Sequence, residues 1–383
     1  CKYSILDNSE IGIMKSNNKI TLLISSLGGG GAEGVCVNIA NKLANNGWKV
    51  DLVVSNLINE TYLGRLSENV TLIVLNVKHA RYTSIPLLKY IYKNRIKTIL
   101  VFNHELAIIL VMIRIFFKLK IKIISRNISI MSIKIEQLKL QNFWKRNVVR
   151  PLTKYFYNKI DHVINQSIAM REDLISIYPK LDRKSSVIYN PISNYIINYA
   201  NNNDLNKVEK KNYLLCVGRL EKVKALDYAI DGFAGIANKF PNLRLKIIGK
   251  GTMEQKLKQK VIDCKIQNKV DFEGFQKNIV PYYLYARATI QTSHYEGYPN
   301  VLIESIAMNT PVVAFDCPGG TKEIIKNGIN GYLVKQHSVE DLKKKLLKLL
   351  SNEFNYKDLK MSIINNQIEH ICKNYEKIIY SYL

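Results

Sequence analysis

The sequence predicts an α/β protein built from two doubly wound parallel-sheet domains that face each other across a cleft. Three observations carry this expectation. The 383 residues exceed what a single hydrophobic core serves, so two domains are expected, each with its own core. A strand, a glycine-containing loop and a helix follow one another at Lys19 and again at Tyr213, and apolar runs alternate with amphipathic stretches after each start. Between the two runs, Ser193 to Lys211 is rich in asparagine and lysine, lacks an apolar period and reads as a linker.

The first run opens with a strand over Lys19 to Ser25, a glycine loop, a helix over Ala32 to Asn46 and, after Gly47, a strand over Lys49 to Val54. Further buried strands are expected at Val70 to Leu75, Thr98 to Phe102, Ile121 to Ser125, His162 to Asn165 and Ser186 to Tyr189, with helices between them. The second run begins with a strand over Tyr213 to Val217, then Gly218, a helix from about Ala225, a strand over Leu243 to Ile248, and Gly249-Lys250-Gly251 opening another helix. A strand over Ala288 to Thr292, a helix from about Asn300, a Pro311-Val312-Val313 strand and Tyr332-Leu333-Val334 complete it. The expected domains are therefore two Rossmann-like units, 14–195 and 212–361, joined by a linker at 196–211. Met14 leads through Lys15 and Ser16 into the first strand and reads as the native start, so residues 1–13 are set aside.

Lys plus Arg number 56 against 31 Asp plus Glu, a net charge of +25 that attracts phosphates, polyanions and anionic lipid surfaces. Six cysteines, at positions 1, 36, 216, 264, 317 and 372, show no C-x-x-C spacing and fit a reducing compartment without a zinc site. The most apolar run, Leu106 to Ile113, ends at Arg114, well short of the ~20 residues of a spanning helix. No signal-peptide pattern opens the chain. A cytoplasmic protein, at most peripheral to the inner face of the membrane, is the expectation. A nucleic-acid binder is the reading that charge alone would offer, but no recognised binding motif or separate basic tail supports it.

Chemistry concentrates in Ser293 to Val334, where Glu296 lies in a loop after a strand and Glu304, eight positions on, falls in the first turns of the next helix. A helix N-terminus turns unpaired amides and a partial positive charge toward its crevice, and a diphosphate is a natural guest there. In the first domain, Gly28 to Gly31 follow the first strand, so backbone amides without a neighbouring Cβ can approach a phosphate or sugar. Gly29, Gly31 and Gly34 satisfy G-x-G-x-x-G, but the acidic residue that a dinucleotide site needs at the end of the second strand is missing, since that strand ends Val53-Val54-Ser55. Arg219 and Lys224 place two cations at the mouth of the Tyr213 to Val217 strand. No D-x-D pair is present, and Asp271-Phe272-Glu273 alternates as a strand does, so a metal-independent reaction is expected.

The run Glu296-Gly297-Tyr298-Pro299-Asn300, with Glu304, Pro311-Val312-Val313, Gly319-Gly320, Glu323 and Asn330-Gly331, resembles the E-x7-E signature of family 4 retaining glycosyltransferases of the GT-B fold. Asn309 stands where that family usually has glycine, a change that asparagine's tolerance of the left-handed conformation accommodates. The resemblance implies a donor site for a UDP-sugar, used as substrate with no cofactor. In it Gly29, Gly30 and Gly31 approach the diphosphate, Arg219 and Lys224 clamp it, Glu304 holds the ribose, and Glu296 holds the sugar within a loop of Gly297, Tyr298, Asn300 and Val301. It also implies that His104 contacts the transferred sugar and that Ser362 to Leu383 returns to the first domain. Arg126, after the next strand, could reach an acceptor phosphate.

The acceptor expected from the charge is a polyprenyl-diphosphate-linked glycan of O-antigen or capsule assembly, met at an anionic membrane surface. Gln141 to Lys159 mixes aromatic and basic residues suited to that surface, although Trp144, Val148, Leu152 and Phe156 recur every fourth residue as a core stripe does. A nucleotide-sugar 2-epimerase shares this architecture. The E-x7-E and Gly218-Arg219-Leu220 segments favour a transferase.

Overall fold

The computed structural model describes residues 18–58, 60–78, 82–139, 147 and 149–383. Met14, Trp144 and Val148 therefore lie outside the described residues, and so do the expectations placed on them. The first domain runs β1 (Lys19–Ile24), α1 (Gly31–Asn45), β2 (Lys49–Val54), β3 (Val70–Val74), α2 (Ser84–Lys93), β4 (Thr98–Val101), α3 (His104–Phe116), β5 (Lys122–Asn127), α4 (Met131–Lys139), α5 (Arg150–Tyr157), β6 (His162–Asn165), α6 (Ile168–Ile177) and β7 (Ser185–Val187). After α7 (Asn194–Asn202) the second domain runs β8 (Tyr213–Val217), α8 (Leu226–Ala237), β9 (Arg244–Ile248), α9 (Glu254–Asp263), β10 (Val270–Gly274), α10 (Val280–Tyr285), β11 (Ala288–Gln291), α11 (Asn300–Ala307), β12 (Val312–Phe315), α12 (Thr321–Ile324), β13 (Gly331–Val334) and α13 (Val339–Ser351). Two last helices, α14 (Tyr356–Ser362) and α15 (Ile368–Tyr380), close the chain.

Both sheets are parallel throughout, with strand orders β3-β2-β1-β4-β5-β6-β7 and β10-β9-β8-β11-β12-β13. Each order reverses once, between β1 and β4 and between β8 and β11. The connections leave these two neighbours in opposite directions and open a crevice at their carboxyl ends, the usual ligand position of an open α/β sheet. The glycine loop follows β1, His104 follows β4, Arg219 follows β8 and Glu296 follows β11. The fold therefore puts four separate stretches of sequence at two switch points.

Burial on both faces explains the apolar strands. In the first domain α1 and α15 cover one face with Val35, Ile39, Leu43, Tyr375 and Ile379, while Leu87, Ile91, Leu106, Leu110 and Phe156 pack against the other. Each such aliphatic side chain contributes ~1.5–3 kcal/mol over an exposed one. The return expected for the last segment is present, because α15 seats Ile371, Cys372 and Tyr375 in the first-domain core. It begins at Ile368 rather than Ser362, after a short 3-10 turn over Ile364–Asn366.

Two expectations need correction. Half of the expected linker is helical: α7 buries Ile196 and Ala200 one turn apart against the second-domain core, with Tyr195, Ile197 and Tyr199 packed partly buried beside them, a short apolar cluster set among asparagines. The described part of the every-fourth-residue stripe, on α5, also divides, with Phe156 buried and Leu152 49% exposed beside an exposed Tyr155. No described helix is long and apolar enough to cross a membrane.

Candidate functional site

On the second-domain side, β11 delivers Gln291 and its following loop delivers Ser293 and Glu296. The Oε1 atom of Glu296 accepts from Lys224 Nζ at 2.6 Å, Ser293 Oγ at 2.6 Å and Gln291 Nε2 at 2.9 Å. Lys224 reaches it from a 3-10 turn after β8, where Ala225 takes a left-handed conformation (φ 45°) to turn the chain into α8. The Glu296 loop is held from behind by Gly319, whose φ of 114° and approach to the Glu296 carbonyl leave no room for a Cβ. That is the physical need for the glycine pair 319–320. Asn309 adopts φ 56°, the left-handed conformation anticipated for it.

Glu304 projects from α11 into a polar pocket. Its Oε1 accepts from Ser193 Oγ at 2.5 Å, and Tyr283 OH donates to Oε2 at 3.4 Å. Burial raises its pKa above the usual carboxylate range, while the two hydroxyl donors and the Arg65 guanidinium pull the other way. Arg65 comes from the first domain and lies over the Tyr195 ring at 4.3 Å. The sequence reading did not single out Arg65, Tyr195, Ser193 or Tyr283, and they carry no motif of their own; the tertiary fold alone brings them, from the turn after β2, from α7 and from α10, around Glu304.

The glycine loop faces this constellation. A Cβ on Gly31 would stand 3.4 Å from Asn300 Nδ2, so the first residues of α1 and α11 meet across the cleft. Glu33, in the first turn of α1, is half-buried there. Burial raises its pKa, its own backbone amide and the charge of Arg219 lower it, and the exposed Arg219 thus acts across the same gap. Gly297 sits against Met170 and Gln166 of the first domain. Asn300 accepts from Asn190 Nδ2 at 2.6 Å through Oδ1, and Val301 follows it in the first turn of α11.

Three expected site residues turn away from the cleft. Arg126 is 1% exposed, donates through Nε to Tyr375 OH at 2.6 Å and through Nη2 to Asn190 Oδ1, and lies over the Phe102 ring. It ties β5 to the return helix and has no path to an acceptor phosphate. His104 packs its ring 4.3 Å from Tyr157, with Nε2 shielded from solvent and unpartnered, so in this arrangement it is a core residue and not a sugar contact. Burial first, then the Lys134 charge, push its pKa down to about 3, with Glu105 opposing, which makes the ring neutral at physiological pH. The Tyr298 ring, 6% exposed, stacks on Tyr189 rather than facing the donor side, so its side chain is no ligand contact. Among the described residues no group of three or more His, Cys, Asp or Glu is placed to hold a metal ion.

Known proteins resemble this chain along most of its length. A family model described as Glycosyltransferase Family 4 matches residues 29–194, and one described as Glycosyl transferases group 1 matches residues 199–370. The chain is 26% identical over 342 residues to an uncharacterized glycosyltransferase of Haemophilus influenzae, covering 87% of this chain and 91% of the relative. It is 27% identical over 332 residues to a Campylobacter jejuni N-acetylgalactosamine-N,N'-diacetylbacillosaminyl-diphospho-undecaprenol 4-alpha-N-acetylgalactosaminyltransferase, covering 83% of this chain and 86% of the relative. Among solved structures, the Anabaena protein HepE in complex with UDP superposes with a TM-score of 0.73 at 16% identity, over 95% of this chain and all of the other.

Proposed function

The chain belongs to the family 4 glycosyltransferases of the GT-B fold, and from that premise we propose that it is a retaining, metal-independent enzyme that moves a hexose or N-acetylhexosamine from a UDP-sugar to a lipid-linked glycan. The observation that carries this reading is the convergence of Lys224 on Glu296 one helical turn from the start of α11, with Glu304 further along the same helix. A uridine diphosphate laid against the α11 N-terminus has Glu304 within reach of its ribose and Arg219 and Lys224 beside its phosphates. The leaving diphosphate gains charge as the glycosidic bond breaks, and fixed cations in a partly dry cleft stabilise that charge better than water does.

Retention follows from same-face attack. The acceptor oxygen bonds to the anomeric carbon as the carbon–phosphate oxygen bond breaks, and the departing phosphate takes the acceptor proton. The α linkage named for the Campylobacter relative supports retention, and the UDP bound by the Anabaena neighbour supports the donor class. A polyprenyl-diphosphate acceptor, as in O-antigen or capsule assembly, is supported by the diphospho-undecaprenol substrate of the same relative and by the +25 net charge. The inner face of an anionic membrane is the corresponding place of work. The exposed Ile115, Phe116 and Phe117 at the end of α3, followed by Lys118 and Lys120, suit an anionic lipid interface.

The test is calorimetric titration of the full chain with UDP, UDP-sugars, GDP-mannose and short DNA in EDTA and moderate salt. Selective UDP-sugar binding that Arg219→Ala removes is the expected result. Binding to DNA alone, fading with salt, would overturn the proposal.

A further inference from the structure

We infer that Tyr298 couples the donor loop to the interdomain hinge and so biases how far the cleft closes around a nucleotide; the inference rests on the transferase reading above. The chain passes between the domains twice, through residues 188–193 and again through 363–367. These two crossings are joined to each other, because Asn366 Nδ2 donates to the Asn190 carbonyl at 2.9 Å and Ile192 N donates to the Asn366 carbonyl at 2.9 Å. Tyr298 is bound to both. Asn366 Nδ2 also donates to Tyr298 OH at 2.9 Å, Asn190 Nδ2 donates to the Tyr298 carbonyl at 3.0 Å, and the Tyr298 ring stacks on Tyr189 with centroids 5.1 Å apart and planes 21° from parallel.

The other side of Tyr298 is the donor loop. Gly297 precedes it and rests against Gln166 and Met170 of the first domain, and Asn300, the first residue of α11, shares the Asn190 amide with the Tyr298 carbonyl. Asn190 and Asn366 are 3% and 4% exposed, so their polar atoms have these protein groups as partners in place of bulk solvent. Rotating the domains apart strains or breaks these bonds, and a buried amide left without a partner is costly. A ligand that orders the 297–300 loop therefore favours one domain angle, which is how a packed hinge turns a local contact into domain closure. Tyr298 is accordingly a positioning residue, acting through the hinge rather than on the reacting atoms. A phenylalanine would fill the same space and keep the Tyr189 stack, so packing alone does not call for the hydroxyl.

The experiment is small-angle X-ray scattering of the full chain with and without saturating UDP, on the wild type, Tyr298→Phe, Asn366→Ala and the double variant, with the UDP affinity of each measured by titration. The expected result is a wild type that contracts on UDP and a Tyr298→Phe that contracts measurably less, its closing equilibrium shifted about fivefold, as one lost hydrogen bond implies. The double variant should be no worse than Asn366→Ala alone. Should Tyr298→Phe fail to fold, Asn366→Ala reads the same bond from the hinge side. A residue of merely structural weight would lower thermal stability and leave the contraction at saturating UDP intact. Contraction of Tyr298→Phe and Asn366→Ala identical to the wild type overturns the coupling alone. A wild type that does not bind UDP overturns the transferase reading and the coupling with it.

Discussion

Lys224 Nζ lies 2.6 Å from Glu296 Oε1, so the cation proposed to grip the donor diphosphate and the carboxylate proposed to hold its sugar form one ion pair. The pair is largely shielded, with side-chain exposures of 24% and 13%, and Ser293 and Gln291 complete the ring of donors around Oε1. Removing either partner strands the other in a partly dry pocket. Lys224→Met and Glu296→Gln should each lower kcat/KM for the UDP-sugar by about a hundredfold or more, the scale set by deleting one fixed charge stabiliser. The double variant should lose far less than the product of the two, because the residues act as a unit. Steady-state UDP release checks it, and full additivity would mean that the ion pair has no part in transfer.

Glu304 is the second handle on the donor. As an acceptor for ribose hydroxyls it must be ionised, and burial holds its pKa above the usual 4.5. Donor binding should then be full above that raised value and fall as the pH drops through it. Glu304→Gln should weaken UDP by about thirtyfold, the equivalent of a charge-assisted hydrogen bond of ~2 kcal/mol, and should remove the acidic limb of the binding profile. Titration calorimetry across the acid range reads both effects. An unchanged limb in the glutamine variant would assign the titration to another group.

Under the proposed clamp of Arg219 and Lys224 on the diphosphate, no step requires a divalent ion. EDTA should therefore leave turnover unchanged, while Arg219→Ala should depress it by two orders of magnitude or so. Loss of activity on chelation, restored by magnesium, would replace the cation clamp with a metal.

Much of this arrangement was legible in the sequence because it rests on local signals. The Glu296 to Glu304 spacing, the glycine loop after β1 and the strand starts at Lys19 and Tyr213 are each fixed by short-range chemistry, and the fold brings them to two switch points. What was not legible depends on tertiary partners. Asn190 follows a strand and precedes a proline, which marks a turn but says nothing of its contacts with Arg126, Tyr298 and Asn300. The helical half of the linker buries only Ile196 and Ala200 fully, with Tyr195, Ile197 and Tyr199 partly buried around them, a cluster too short and too mixed with asparagine for a clear helical period. Arg126 and His104 carried chemically active side chains at the right strand ends. Whether such a side chain faces the crevice or the core is decided by neighbours such as Tyr375 and Tyr157, which lie 249 and 53 positions away in the chain.

Arg126 offers a direct test of that distinction. Its described hydrogen bonds go to two neutral groups, Tyr375 OH and Asn190 Oδ1, and Nη1 is buried without a partner, so the guanidinium is a poorly compensated interior cation. Arg126→Ala should cost ~3 kcal/mol of stability through the cavity and the orphaned hydroxyl. Arg126→Met, which fills most of the space and removes the buried charge, should stay within ~1.5 kcal/mol of the wild type. Urea unfolding of the two variants measures the difference. A methionine variant that folds like the wild type yet loses acceptor affinity alone would restore Arg126 to acceptor binding.

His104 should leave its mark on acid stability rather than on sugar recognition. Unfolded, its imidazole takes up a proton near pH 6.5; folded, burial and the Lys134 charge hold it neutral down to about 3. Between those values the unfolded chain binds the extra proton, so His104 makes the fold less stable as the pH falls from about 6.5 toward 3 and has no such effect above that window. By about pH 5 the penalty amounts to ~2 kcal/mol. His162, pushed down to about 4 by burial, adds in the same direction. His104→Leu should therefore gain stability relative to the wild type by that amount between neutral pH and about pH 5. Parallel urea melts at the two pH values isolate the difference, since His162 and every other titrating group is common to both proteins. Equal slopes in the two proteins would mean that His104 is charged or solvated in the fold, and would reopen its role as a cleft residue.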